Sequence, residues 1–341
     1  MLVTGATGFV AGHCISDLLA HGYDVRGTVR NLGKADLAHL RPAIDEAVGA
    51  FDLAEATLDA DEGWAEATSG CDYVLHVASP IPFKAPKHED ELVRPAVDGT
   101  TRVLTAAAKA GVKRVVCTSS VDVITRNSAT AGRQRTEADW SDLAECNAYA
   151  KSKLLAEKRA WELAADHGFE LVVVHPGAII GPPQQVKRES SSDLVRRMLA
   201  GEMPAVPPLN LAFTDVRDLA AVHRLALEVP EAKGNRYICA NGHLPMTGIA
   251  AILKAEYGPR GYKISTRPLP TWIVRVAARF NGEAKLAVDM LGIQHDVTAE
   301  KAIRELGWTP RTLRQSVLDT AETLISAGIV RPTKPVSAGN P

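Results

Sequence analysis

Tyr149 and Lys153 stand four residues apart in the run Asn147-Ala148-Tyr149-Ala150-Lys151-Ser152-Lys153. On a helix that spacing puts them on one face, one turn from each other. A tyrosine with its ordinary pKa of about 10 is a poor acid near neutrality. A neighbouring ammonium favours the phenolate and lowers that value, as does an oxidised nicotinamide. The pair therefore suits proton donation to a carbonyl oxygen. Upstream, Cys117-Thr118-Ser119-Ser120 closes an apolar run, and Ser120 can hydrogen-bond both a substrate oxygen and the Tyr149 hydroxyl. The Tyr-x-x-x-Lys spacing is common on helix surfaces and draws its weight from what lies around it.

A second constellation opens the chain: Val3-Thr4-Gly5-Ala6-Thr7-Gly8-Phe9-Val10-Ala11-Gly12, between an expected strand and an amphipathic helix. In that context a glycine pattern reads as a dinucleotide loop. Gly5 permits the tight turn. Gly8 lets a pyrophosphate approach backbone N–H groups at a helix N-terminus, with Thr7, Phe9 and Val10 beside it. Ala11 stands where a third glycine is common and still allows close helix–sheet packing. The end of the second strand selects the cofactor, an acidic residue favouring NAD and an arginine NADP. Here Arg26-Gly27-Thr28-Val29-Arg30-Asn31 is followed by Lys34, and no carboxylate occurs between Asp24 and Asp36. Arg30 can stack on adenine and pair with a 2′-phosphate, so the expected cofactor is NADPH/NADP+. Asp52-Leu53, taken to follow the third strand, is expected at the adenine edge.

These residues need a sheet that brings them to one edge. Strands are expected over 2–4, 24–29, 72–77, 114–118 and 170–175, and helices over 9–20, 92–110 and 148–167. The run Leu171-Val172-Val173-Val174 is apolar without alternation, as in a strand covered on both faces. Strand–helix alternation with right-handed crossovers implies an α/β fold with a doubly wound parallel sheet, whose strand ends face the ligand crevice. Beyond Gly177, proline clusters break the rhythm and shorter helices follow, over 191–200, 216–227, 247–257, 272–280, 299–306 and 313–327. The expected organisation is a dinucleotide-binding domain over 1–177, with segments of about 211–240 returning to it. A smaller, mostly helical substrate lobe covers 178–330, and a frayed tail 331–341.

Among 341 residues, 46% are hydrophobic and 23% charged, which excludes a disordered or fibrous chain. A net charge of −1 argues against a nucleic-acid partner held by bulk charge. No apolar run reaches the roughly 18 residues of a membrane helix. The five scattered cysteines, with no C-x-x-C pair, read as free thiols in a reducing cytoplasm. No signal peptide is apparent. The first strand begins almost at Met1, which leaves open whether native residues precede it.

The motifs together resemble the extended short-chain dehydrogenase/reductase family. Within it the chain looks most like the dihydroflavonol reductase, cinnamoyl-CoA reductase and yeast aldehyde reductase branch. The resemblance runs through VTGATGFVAGH (3–13), TVR (28–30), DL (52–53), DYVLHVASP (72–80), TSS (118–120), YAKSK (149–153), HPGAIIGP (175–182) and LGWTP (306–310). It implies a catalytic set of Ser120, Tyr149 and Lys153, with Lys153 holding the nicotinamide ribose. It implies Val77, Ala78 and Ser79 on the nicotinamide side, and Pro176, Gly177, Ala178 and Ile179 binding the carboxamide through their backbone. Two departures are Ala11 for the third glycine and Asp98 where the family mostly has asparagine. The segment Glu145-Cys146-Asn147-Ala148-Tyr149 also lacks the N-W-Y-C-Y signature of cinnamoyl-CoA reductases.

The expected function is NADPH-dependent reduction of an aldehyde or ketone to an alcohol. Hydride goes to the carbonyl carbon, Tyr149 protonates the developing alkoxide, and Ser120 orients that oxygen. The alternatives are a nucleotide-sugar epimerase or dehydratase, and a non-catalytic NADP sensor. Arg30 counts against the first and an intact Ser120, Tyr149 and Lys153 against the second. Ile81, Phe83, Val121, Asp122 and Phe213 are the expected substrate contacts. Ile81, Pro82, Phe83, Met203, Pro207, Leu209 and Phe213 read equally well as pocket wall or as core. His76 reads as a packed core histidine, and no spacing implies a metal. Lys187-Arg188 and Arg196-Arg197 read as a solvated face. Glu137, Asp139 and Asp142 read as complements to a helix dipole. The expected partner is a small carbonyl substrate, with the protein a monomer or homodimer and neither nucleic acid nor membrane involved.

Overall fold

Residues 1–81, 85–185 and 193–332 are described by the structure, a computed structural model of the chain. The strands are β1 (Leu2–Val3), β2 (Val25–Val29), β3 (Phe51–Glu55), β4 (Tyr73–His76), β5 (Arg114–Thr118), β6 (Glu170–Pro176), β7 (Ala178–Ile180), β8 (Asn210–Asp215), β9 (Arg236–Cys239) and β10 (His243–Pro245). Seven of them form one parallel sheet in the order β3-β2-β1-β4-β5-β6-β9. The chain reverses direction across the sheet between β1 and β4, and such a switch point leaves a crevice at the strands' carboxyl ends. The five expected strands are all present, none differing by more than one residue at either end.

The helices are α1 (Phe9–Ala20), α2 (Arg41–Asp45), α3 (Trp64–Thr68), α4 (Asp90–Lys109), α5 (Asp122–Thr125), α6 (Ala148–His167), α7 (Asp193–Leu199), α8 (Val216–Glu228), α9 (Met246–Tyr257), α10 (Thr271–Ala277), α11 (Gly282–Met290), α12 (Glu300–Leu306) and α13 (Leu313–Ser326). α4 packs along α6 on one face of the sheet, and α1 along α8 on the other. Each face buries its own apolar cluster: Ile15, Leu18, Val172, Leu219 and Val222 on one, Val103, Leu104, Val115, Leu163 and Leu171 on the other.

The remaining strands form a second sheet, β10-β8-β7, with β7 parallel and β10 antiparallel to β8. It packs with α7, α9 and α13 around a separate core of Ile180, Leu199, Phe213, Ile249 and Leu324. Within 211–240, α8 and β9 rejoin the large sheet, whereas β8 belongs to the small one. The expected tail 331–341 falls outside the described residues beyond Pro332, as does the start of the helix expected over 191–200.

Candidate active site

The glycine loop leaves β1 through backbone bonds that fold it across the neighbouring strands. Thr28 Oγ1 accepts the Gly5 N–H at 2.9 Å, and Thr28 O accepts the Ala6 N–H at 2.8 Å. Thr4 Oγ1 accepts the N–H groups of Val77 and Ala78 at 3.0 and 2.9 Å, so β1 and β4 are joined just below the crevice. Gly5 has φ +78°, and a Cβ there would meet the Ala78 Cβ at 3.1 Å; at Gly8 it would meet the Gly5 carbonyl at 3.1 Å. The helix that follows has no side-chain cap and no acidic residue in its first turn. Its N-terminal amides are thus left to an anion, and the residues present fit a dinucleotide pyrophosphate. Thr7, Phe9 and Val10 are half-buried at this edge.

Arg30 and Lys34, past the end of β2, are exposed, and neither side chain has a hydrogen-bond or ion-pair partner among the described residues. Two free cations beside the adenosine end fit a 2′-phosphate.

Asp52 needs correction. It lies inside β3, opposite Arg26 in register, and Arg26 Nε and Nη2 donate to its carboxylate at 3.0–3.1 Å. That pair is near the start of the strand, away from the crevice. Leu53 packs into the core. The chain at the carboxyl end of β3 is 55–58: the Ala56 N–H donates to Val29 O at 3.0 Å, and Leu58 packs on Gly99 of α4. The Glu55 carboxylate also reaches this side, accepting the Leu32 N–H at 2.8 Å. A third strand matched in length to Val25–Val29 is the signal that would have located these residues.

β5 and α6 bring Ser120, Tyr149 and Lys153 together. Asn147 caps α6 by accepting the Ala150 N–H at 2.9 Å, which starts the helix just before Tyr149. Lys153 is buried and donates from Nζ to Thr118 O at 3.1 Å. Burial brings its ammonium down to about 8, opposed by the nearby Cys117 thiol and the Glu157 carboxylate, of which only the carboxylate is charged at neutral pH. Tyr149 departs from expectation: its phenol is pushed up, not down. Burial is the main cause and the Asp122 carboxylate the next, while hydrogen bonding with Ser120 pulls the other way. An unshifted or lowered tyrosine therefore requires the positive charge of an oxidised cofactor, which a protein-only reading of Lys153 does not supply.

One turn beyond Lys153 lies a buried polar cluster not anticipated from the sequence. Glu157 accepts from Ser119 Oγ at 2.5 Å and from Arg236 Nε at 2.7 Å, and pairs with His175 Nε2 at 2.7 Å. His175 and Arg236 hold its carboxyl down at about 2 against the opposing effect of burial. The i+8 spacing from Tyr149 is the sequence signal for it.

Several expected contacts are relocated. Phe213 is 1% exposed within the small-lobe core, and Val121 is 1% exposed among Ile124, Ala212 and Ile238, so both side chains pack as core. Asp122 is buried and ion-paired with Arg126 at 2.8 Å rather than open to substrate. Ile81 is 62% exposed, and Phe83 lies outside the described residues with Pro82, Lys84, Lys187 and Arg188. Pro176 to Ile179 are partly committed: Pro176 O accepts the Val121 N–H, the Gly177 N–H donates to Thr214 Oγ1, and Ala178 and Ile179 pair with β8. Ser79 is half-buried beside Ala78 at the end of β4.

His76 is a core residue, between Thr4 Oγ1 at 3.2 Å and Thr100 Oγ1 at 3.4 Å, and burial holds it neutral down to about 3. Asp98 is exposed and outside this chain of contacts. The acidic loop is held by specific bonds and not by a dipole: Glu137 accepts the Ile238 N–H, Asp139 pairs with Arg133, and Asp142 caps a short turn at Ala144. Arg196 pairs with Asp193 and Glu202. Among the described residues no group of three His, Cys, Asp or Glu side chains could hold a metal, and the five cysteines are free.

A seven-stranded doubly wound sheet with an anion-ready glycine loop and a Ser–Tyr–Lys cluster at its carboxyl edge defines a nucleotide-dependent member of the extended short-chain dehydrogenases/reductases. The profile of the NAD dependent epimerase/dehydratase family matches residues 1–240, and the chain belongs to that family. It is 35% identical over 335 residues to cinnamoyl-CoA reductase 1 of Arabidopsis thaliana, covering 97% of this chain and 90% of that protein. It is 32% identical over 271 residues to dihydroflavonol 4-reductase of Zea mays, covering 75% and 74% of the two chains. The crystal structure of yeast methylglyoxal/isovaleraldehyde reductase Gre2 with NADPH superposes with a TM-score of 0.78 at 27% identity, over 96% of this chain and 99% of that one.

Proposed function

We propose that this protein is an NADPH-dependent reductase that converts the carbonyl of a small aldehyde or ketone to an alcohol. The observation that carries the reading is the convergence of Ser120, Tyr149 and Lys153 where β5 meets α6, beside an uncapped α1. The similar cinnamoyl-CoA, dihydroflavonol and methylglyoxal/isovaleraldehyde reductases, the last of them solved with NADPH, support it.

When bound, a reduced nicotinamide supplies hydride to the carbonyl carbon. The protein's own residues do the rest. Ser120 donates to the carbonyl oxygen and stabilises the charge that builds there. Tyr149, kept protonated by its surroundings, gives its proton to that oxygen. Lys153 anchors the ribose while its bond to Thr118 O keeps it in register with β5. Arg30 and Lys34 meet the 2′-phosphate, and Gly5, Thr7, Gly8, Phe9 and Val10 the pyrophosphate. Residues 55–58 replace Asp52-Leu53 at the adenine edge. Val77, Ala78, Ser79 and the 176–179 backbone border the nicotinamide.

Residues 1–177, with Ala178, Ile179 and the returning α8 and β9, form the cofactor side, and the rest of 178–330 shapes the substrate side. We place the enzyme in the cytoplasm, as a monomer or homodimer without a nucleic-acid partner. No helix among the described residues is long and apolar enough to cross a membrane. NADPH oxidation with a panel of aromatic aldehydes and diketones tests the reading. Turnover of at least one carbonyl is expected, and conversion of a nucleotide sugar with no NADPH consumed would replace it with the epimerase reading.

A further inference from the structure

Behind the Ser120 hydroxyl lies a buried charge cluster that the reaction as described does not use. Ser120 Oγ donates to Asp122 Oδ2 at 3.3 Å and accepts the Asp122 N–H at 3.2 Å. Arg126, just past the end of α5, donates from Nε to Asp122 Oδ1 at 2.8 Å and from Nη1 to Asp289 O at 3.3 Å. Ser141 Oγ donates to the Asp122 carbonyl at 2.7 Å and accepts the Arg126 N–H at 2.8 Å. His295, 3% exposed, brings Nε2 to 4.0 Å from Asp122 Oδ1, and neither of its ring nitrogens has a hydrogen-bond partner among the described residues. Asp122, Arg126 and Ser141 come from the β5–α6 region, and Asp289 and His295 from the C-terminal lobe. Fixing a buried carboxylate, a guanidinium and a serine around one hydroxyl is costly unless each is paired, and here the lobes jointly pair them.

We propose that Asp122 is a positioning residue for carbonyl reduction: it aims the Ser120 hydroxyl and sets a negative charge beside Tyr149, and Arg126 holds it there. The inference rests on Tyr149 as proton donor. A carboxylate beside a phenol opposes its ionisation, which keeps the donor loaded for reduction and withholds the phenolate that alcohol oxidation needs. The other groups facing this cluster are Cys146, whose thiol feels both Asp122 and Arg126, and Arg135, which acts on His295. Burial lowers His295, so it stays neutral at ordinary pH and Arg126 carries the balancing charge.

Asp122→Asn keeps the size, the backbone N–H and an oxygen to accept from Ser120, and removes the charge. The Arg126 guanidinium then stands uncompensated, which acts on Tyr149 in the same direction. The alkaline limb of carbonyl reduction and the rising limb of alcohol oxidation should both move to lower pH, by about 1 unit. The ratio of oxidation to reduction at fixed pH then rises, with the NADPH Kd unchanged. A role in stability alone would leave both limbs in place, so a folded Asp122→Asn enzyme with unmoved limbs overturns the proposal. Should that variant not fold, the wild type decides. The phenolate absorbance lost in Tyr149→Phe should appear above the ordinary tyrosine value of about 10, and its appearance below that value overturns the proposal. If instead Tyr149→Phe retains reduction, the proton-donor reading fails first, and the two failures are told apart.

Discussion

Lys153 donates from Nζ to the carbonyl oxygen of Thr118 at 3.1 Å, which ties the helix carrying Tyr149 to the strand end carrying Ser120. The ammonium is buried, so this bond fixes the spacing of the three groups before any ligand arrives. Burial brings Lys153 down to about 8 from 10.5. A lowered lysine destabilises the fold while charged: the penalty is full below pH 8 and fades as pH rises toward 10.5. The charged form is also the stronger donor to a ribose hydroxyl. NADPH affinity of the ligand-free protein should therefore weaken as pH passes about 8. Lys153→Met should bind NADPH more weakly, lower kcat, and lose this dependence; calorimetric titration across pH checks it.

Arg30 is exposed and without a partner among the described residues, so water screens its pairing with a 2′-phosphate. A hydrogen bond to a charged group is worth about 1.5–3 kcal/mol, and solvent exposure favours the lower end. Arg30→Ala should raise the NADPH KM about tenfold and leave NADH use nearly unchanged. A wild-type preference for NADH would contradict the assignment.

Glu157 is held at about 2 against an ordinary 4.5. A depressed carboxylate stabilises the fold above its unfolded value and loses that contribution as pH falls toward the folded one. Acid should therefore remove about 3 kcal/mol between pH 4.5 and 2. Glu157→Ala leaves His175 and Arg236 without their shared partner and should cost about 3–5 kcal/mol at neutral pH. Glu157→Gln should flatten the acid limb. Urea unfolding at several pH values reads all of these effects.

Phe213 sits in the small-lobe core at 1% exposure. Phe213→Ala should cost about 3–5 kcal/mol of stability through the cavity it leaves. Phe213→Leu should leave the profile of bulky against small carbonyls unchanged. A selectivity change in a stable Phe213→Leu enzyme would restore it to the pocket wall.

Short-range signals carried furthest from sequence to site. Gly5, Gly8, Ser120, Tyr149 and Lys153 each stand at a strand end or helix start, and parallel-sheet topology sends all such positions to one edge. Asp52 misled because a two-residue motif does not say where its strand stops, and pairing with Arg26 is decided by register. Phe213 reads as pocket wall or core, and Val121 as a substrate contact, because an aromatic or aliphatic residue near a crevice looks the same from either side of a core. β7 and β8 were hidden by the prolines around them, since their pairing joins segments separated by Pro182, Pro183, Pro204, Pro207 and Pro208. The direction of the Tyr149 shift depends first on burial and then on Asp122, and no local spacing reveals either.

Tyr149→Phe tests the central claim most directly. It removes one oxygen and leaves the ring to pack as before. General-acid assistance contributes roughly 10²–10⁴-fold, so kcat for carbonyl reduction should fall by about that factor with NADPH binding intact. A folded, NADPH-binding Tyr149→Phe enzyme that reduces carbonyls at near wild-type rate would remove Tyr149 as the proton donor and contradict the account.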